Sequence, residues 1–99
     1  MAKYMYLYSG GPGMEMDEAK RNQVMAEWEA YYGKIGGNLA DPGAPFGERE
    51  AVGGQPSGVN GYTIVEAADL AAAKAMTDGH PHVAHGGSIE IVECIDMSG

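Results

Sequence analysis

The sequence predicts an α+β domain of order βαββαβ, an antiparallel four-stranded sheet with two helices on one face. Three observations predict it. Residues 3–8, Lys-Tyr-Met-Tyr-Leu-Tyr, alternate with the period of two that belongs to a strand. Residues 17–34 place Val24, Trp28, Tyr31 and Tyr32, with Ile35 just beyond, at the 3.6-residue period of a helix. Residues 61–95 read as one unit of strand, helix, loop and returning strand.

The first strand sets Tyr4, Tyr6 and Tyr8 on one face and Met5 and Leu7 on the other. A flexible turn, Ser9-Gly-Gly-Pro-Gly13, leads into the long helix, which starts near Asp17 and is stopped by Gly36-Gly37. A short strand is expected around residues 38–41. Residues 41–60 hold three of the five prolines, and they are expected to form a loop with a hairpin extension. In that extension residues 48–52 are a weak strand and Gly53-Gly54 the turn. Gly61-Tyr-Thr-Ile-Val-Glu66 is β-branched and aromatic, hence a strand. Asp69 caps a second helix over residues 70–76, rich in alanine, and Asp78-Gly79 ends it. Residues 80–87 form a loop carrying all three histidines, His80, His82 and His85. Residues 88–95 are the last strand. The order is that of a ferredoxin-like fold.

Ninety-nine residues make a single domain, 1–99, with a limited core. Acidic residues outnumber basic ones fourteen to six, for a net charge of −8. Such a field repels a phosphate backbone, and the basic residues are scattered, which argues against direct nucleic-acid binding. No apolar run reaches the ~18 residues of a membrane span, and no secretory leader is evident. The single cysteine, Cys94, cannot form an internal disulfide and fits a reducing compartment. The expected location is the cytoplasm.

Two helices cover one face of a four-stranded sheet, yet both faces of the first strand are apolar or aromatic. In the last strand Ile89, Ile91 and Ile95 share one face, while Val92 and Cys94 lie with Ser88 and Glu90 on the other. An uncovered face of that kind marks an interface. The expected cover is a second copy, sheet against sheet, giving a homodimer.

The opening Lys-Tyr-Met-Tyr-Leu-Tyr, Asp41-Pro-Gly-Ala-Pro-Phe46, Gly61-Tyr-Thr-Ile-Val-Glu66, Gly79-His-Pro-His82 and Gly87-Ser-Ile-Glu-Ile-Val92 together resemble the YCII-related domain family. The resemblance spans nearly the whole chain and is weakest over residues 48–59. It implies a dimeric α/β barrel with a pocket between the sheet and its connecting loops. Some members of that family act on small molecules, including dehalogenation of hydroxylated aromatics. Others resemble accessory domains linked to transcription initiation factors. In better-studied members a histidine of the first helix and an aspartate before the late proline form a dyad. This chain departs from both: residues 17–34 contain no histidine, and His80 stands before Pro81.

The candidate chemistry is therefore built from what is present. His80 takes the place of the family's pocket residue and suits acid–base work. Glu90, if enclosed by an apolar barrel, is the complementary base. Asp41 opens the Gly/Pro-rich turn and either reaches the same pocket or bonds its own backbone. Tyr6, Phe46, Tyr62 and His82 are the expected substrate walls. No cofactor is expected. His80-Pro-His82 with His85 has metal-like spacing but no cysteine or well-spaced carboxylate, so no metal is assigned. Two functions follow: proton-transfer chemistry, of elimination or isomerisation type, on a small organic substrate, or a non-catalytic ligand-binding or accessory dimer.

Overall fold

The computed structural model describes residues 1–11 and 16–97. It contains β1 (Ala2–Gly10), α1 (Glu18–Ile35), a 3-10 turn (Gly36–Asn38), β2 (Leu39–Asp41), β3 (Val59–Ala67), α2 (Leu70–Ala75), α3 (Pro81–Ala84) and β4 (Gly87–Cys94). The strands form one antiparallel sheet in the order β2-β3-β1-β4. This is the expected α+β, ferredoxin-like architecture, with β1 and β3 central. Pro12 and Gly13 of the glycine-rich turn lie outside the described residues.

Strand parity decides which side chains meet the helices. Tyr4, Tyr6 and Tyr8 are buried beneath them, in register with Val65, Thr63 and Gly61 of β3. Tyr31 and Ile35 from α1 and Ala73 from α2 complete this core. Three long-range hydrogen bonds pin the helical layer: Tyr6 Oη donates to Ala73 O at 2.6 Å, Tyr31 Oη to Met76 O at 2.7 Å, and Lys34 Nζ to Asp78 O at 3.0 Å. The helices start where their caps place them. Asp17 accepts from the Lys20 amide and Asp69 from the Ala72 amide, each satisfying an otherwise orphaned N–H.

Two expectations are corrected. Residues 48–52 form no strand; this loop touches the sheet through one bridge, Pro45 to Gly61. Glu48-Arg-Glu50 offers no alternating apolar face, and the glycines and prolines around it leave no partner strand. The loop closes on itself instead, with Arg49 Nη1 donating to Ser57 O at 2.9 Å. Nor is the histidine segment all loop. Pro81 occupies the first position of one helical turn, where its missing N–H is harmless, and His80 caps that turn.

Candidate functional site

His80 is the centre of a buried polar network, and its geometry follows from the elements that meet there. The α3 turn drops the imidazole inward between α1 and β1, where 1 % of the residue is exposed. Trp28 and Tyr31 from α1 enclose it, with ring centroids 4.8 and 4.2 Å away, and Tyr8 from β1 stands at 5.2 Å.

Hydrogen bonding assigns the tautomer. The His82 amide points at His80 Nδ1 at 3.1 Å, so Nδ1 accepts and the ring proton sits on Nε2. Nε2–H then donates to Tyr8 Oη at 3.0 Å. Tyr8 donates onward to Thr63 Oγ1 at 2.8 Å, and Thr63 donates to Pro42 O at 3.1 Å. Tyr32 Oη reaches the same carbonyl at 3.2 Å. The result is a one-directional chain from α3 through β1 and β3 to the turn after β2. Burial, with a smaller contribution from nearby His82, lowers the His80 pKa to about 4, so the ring is neutral at pH 7. Burial likewise pushes the Tyr8 and Tyr31 hydroxyls well above the usual phenol range.

The other two histidines lie nearer the surface. His82 Nε2 donates to Ser9 O at 2.8 Å, leaving Nδ1 with no hydrogen-bond partner among the described residues. This ring sits so close to Gly87 that any Cβ there would collide with His82 Nε2. His85 Nε2 meets Glu27 Oε1 at 2.7 Å, tying the end of α3 to α1. The His85 bond holds the Glu27 carboxyl below its ordinary range.

The remaining candidates separate. Tyr6 is fully buried, its hydroxyl spent on α2, and it presents no wall to a ligand. Tyr62 stands on the opposite face of the sheet, where its ring contacts exposed Phe46 at 5.9 Å. Glu90 is also on that face, exposed and across from Leu7. Its carboxylate and the His80 imidazole are therefore divided by the sheet within one chain. Asp41 is exposed and accepts the Gly43 amide at 2.8 Å, which is the turn role. That turn presents the Pro42 carbonyl to Thr63 and Tyr32, so Asp41 supports the far end of the network indirectly. Gly43 has φ +74, and a Cβ there would collide with the Tyr62 carbonyl.

A concavity of about 300 Å³ lies between α1 and α3 above Tyr31 and Pro81, and another of about 710 Å³ lies inside the curl of residues 45–57. Neither is lined by His80, His82 or Asp41. Among the described residues no three His, Cys, Asp or Glu side chains are grouped to hold a metal ion. Sequence reasoning missed Thr63. Its signal was a lone hydroxyl at the inward parity of an otherwise apolar strand.

The family model of the YCII-related domain matches residues 2–98, nearly the whole chain. The chain belongs to the YCII-related domain family. Comparison with curated proteins found no match. In this YCII-related chain, the residue before the late proline serves as the cap of a helical turn and the hub of a buried network. No described helix is long and apolar enough to cross a membrane.

Proposed function

We propose that this YCII-related protein is a non-catalytic binding or accessory module of the cytoplasm. It works as a homodimer through the face of its sheet that no helix covers. One contrast carries the reading. On the covered face both His80 nitrogens are engaged inside the protein, while the uncovered face presents Met5, Leu7, Tyr62, Ile64 and Val92 side by side. A general acid or base must reach substrate, whereas His80 is sealed behind Trp28, Tyr31 and Tyr8. Light scattering on the full chain tests this: a mass of two chains is expected, and Ile64→Asp should return it to one. A monomer at high micromolar concentration, with the fold intact, would rule the reading out.

A second reading is proton transfer on a small organic molecule. His82 favours it, since its Nε2 is oriented by the Ser9 carbonyl and its Nδ1 has no hydrogen-bond partner among the described residues. Turnover of a substrate that is lost in His82→Gln, but kept in Glu90→Gln, would establish it.

A further inference from the structure

We infer that the groove between α1 and α3 binds a small linear zwitterion, an ω-amino carboxylate, with its carboxylate on Lys34 and its ammonium on Glu27. This gives the module proposed above a ligand class. It rests on the binding half of that reading and not on self-association.

One face of α1 builds the groove. Glu27, Ala30, Tyr31 and Lys34 recur at the three- and four-residue spacing that gathers side chains into a single stripe. Pro81 and Ala84 of α3 stand across from them. Tyr31 and Pro81 are buried and make the floor, while Ala30 and Ala84 are exposed and too short to close the top. The concavity of about 300 Å³ left between them is at the lower end of small-molecule sites. It lies on the helical side of the sheet, away from the uncovered face.

The two ends of the groove carry opposite charge. Lys34 follows Glu27 by two helical turns, about 10 Å along the axis. Each charge is held by a different end of the α3 segment. Lys34 Nζ donates to Asp78 O at 3.0 Å, and Glu27 Oε1 accepts from His85 Nε2 at 2.7 Å. These bonds position the charges without exhausting them. An ammonium has three N–H donors, and Gly79 leaves this one open on one side, where a Cβ would stand 3.6 Å from Nζ. A carboxylate offers about four acceptor sites, and on Glu27 they serve His85 and, at 3.3 Å, Gln23.

Charge selects the occupant. A purely apolar molecule answers neither end. A simple anion is opposed by Glu27 and by the chain's net charge of −8, and a simple cation leaves Lys34 unanswered. A molecule of zero net charge, with its two charges at opposite ends of a hydrocarbon chain, meets both ends and lays its methylenes on Tyr31 and Pro81. The spacing of about 10 Å sets its length, and 6-aminohexanoate bridges it.

Nitrogen-15 correlation spectra of the full chain, titrated with 6-aminohexanoate at low salt, test this. Amide shifts confined to residues 27–34 and 79–85 are expected, saturating with a dissociation constant of about 1 mM. The shorter 4-aminobutanoate and the singly charged hexanoate and hexylamine should each bind about tenfold more weakly or worse. Lys34→Gln and Glu27→Gln should each raise the dissociation constant about tenfold. Because Glu27→Gln also loosens α3, Ala30→Leu supplies a variant that keeps both charges, suits a helix and fills the groove; it should abolish saturation. No saturable shift in the native chain, or hexanoate or hexylamine binding as tightly as the zwitterion, would overturn the inference while leaving the homodimer standing. A monomeric native chain that binds 6-aminohexanoate in this pattern would remove the homodimer and keep the groove.

Discussion

The two faces of β1 come from the same nine residues, yet they have opposite fates. Tyr4, Tyr6 and Tyr8 point under the helices and are at most 5 % exposed, and the Tyr6 and Tyr8 hydroxyls meet partners supplied by the fold. Lys3, Met5 and Leu7 point the other way, with Met5 and Leu7 half-buried and no helix above them. On the inner face no fully buried side-chain nitrogen or oxygen among the described residues lacks a hydrogen-bond partner. The outer face holds apolar rows and charges that, among the described residues, have no ion-pair partner. Catalytic residue types are thus a poor guide by themselves: the chain's most buried histidine lies on the closed side.

The sharpest break of this contrast is Tyr6→Ala. It empties a fully buried ring site and strands the Ala73 carbonyl, and should cost about 3–5 kcal/mol, a fall of roughly 15 °C or more in Tm. Ile64→Ala on the outer face of the dissociated chain should cost about 1 kcal/mol or less in the same thermal melts. Equal losses would mean that the outer face is as much core as the inner one.

Acid should attack the closed side next. His80 has a folded pKa of about 4 against an ordinary 6.5, so the folded state favours the neutral ring. Its stability is complete above about 6.5 and is lost as pH falls toward about 4, approaching about 3 kcal/mol at the low end. Protonating Nδ1 also removes the acceptor that caps α3. Glu27 adds to the same trend lower down, because its depressed carboxyl loses its contribution as pH falls through its folded value. Urea melts across this range should show the slope in the native protein and a flatter one in His80→Gln. An equal slope in both would assign the acid sensitivity elsewhere.

Tyr8→Phe is a finer cut. It removes the hydroxyl linking His80 Nε2 to Thr63, leaving the buried Nε2–H without its acceptor while Thr63 keeps its bond to the Pro42 carbonyl, and should cost about 1–3 kcal/mol. Nitrogen-15 spectra of the imidazole should still show the proton on Nε2, since the His82 amide continues to claim Nδ1. A shift to the Nδ1–H form would refute the assignment. The smallest effect is expected at Asp41→Asn, within about 0.5 kcal/mol, because an asparagine side chain accepts the Gly43 amide equally well.

Much of this was legible in the sequence. Strand parity placed Glu90 with Val92 and Cys94, away from Ile89 and Ile91, as the sheet has them. Asp69 capped the helix it was expected to cap, and Gly36 closed α1 with φ +46. What was not legible depended on contacts distant in sequence. The network joins residues 80, 8, 63 and 42, and no local pattern connects a histidine before a proline to a carbonyl nearly forty residues upstream. The same parity that placed Glu90 correctly also separates it from His80, once the histidine is known to fold inward. The irregular loop gave no period to read, and it meets β3 through the short Pro45–Gly61 bridge and the Phe46 ring on Tyr62.

Trp28 is the one tryptophan of the chain, and it stands edge-on to the His80 ring at 4.8 Å and to Tyr8 at 5.2 Å. Neutral imidazole leaves indole emission largely intact, whereas imidazolium quenches it at contact distance. The protein thus carries its own optical gauge of the buried histidine. Its near-ultraviolet fluorescence will dim when that ring gains a proton and will shift to the red when α3 lifts away. Ionisation and opening can therefore be timed separately in a stopped-flow cell without attaching a dye.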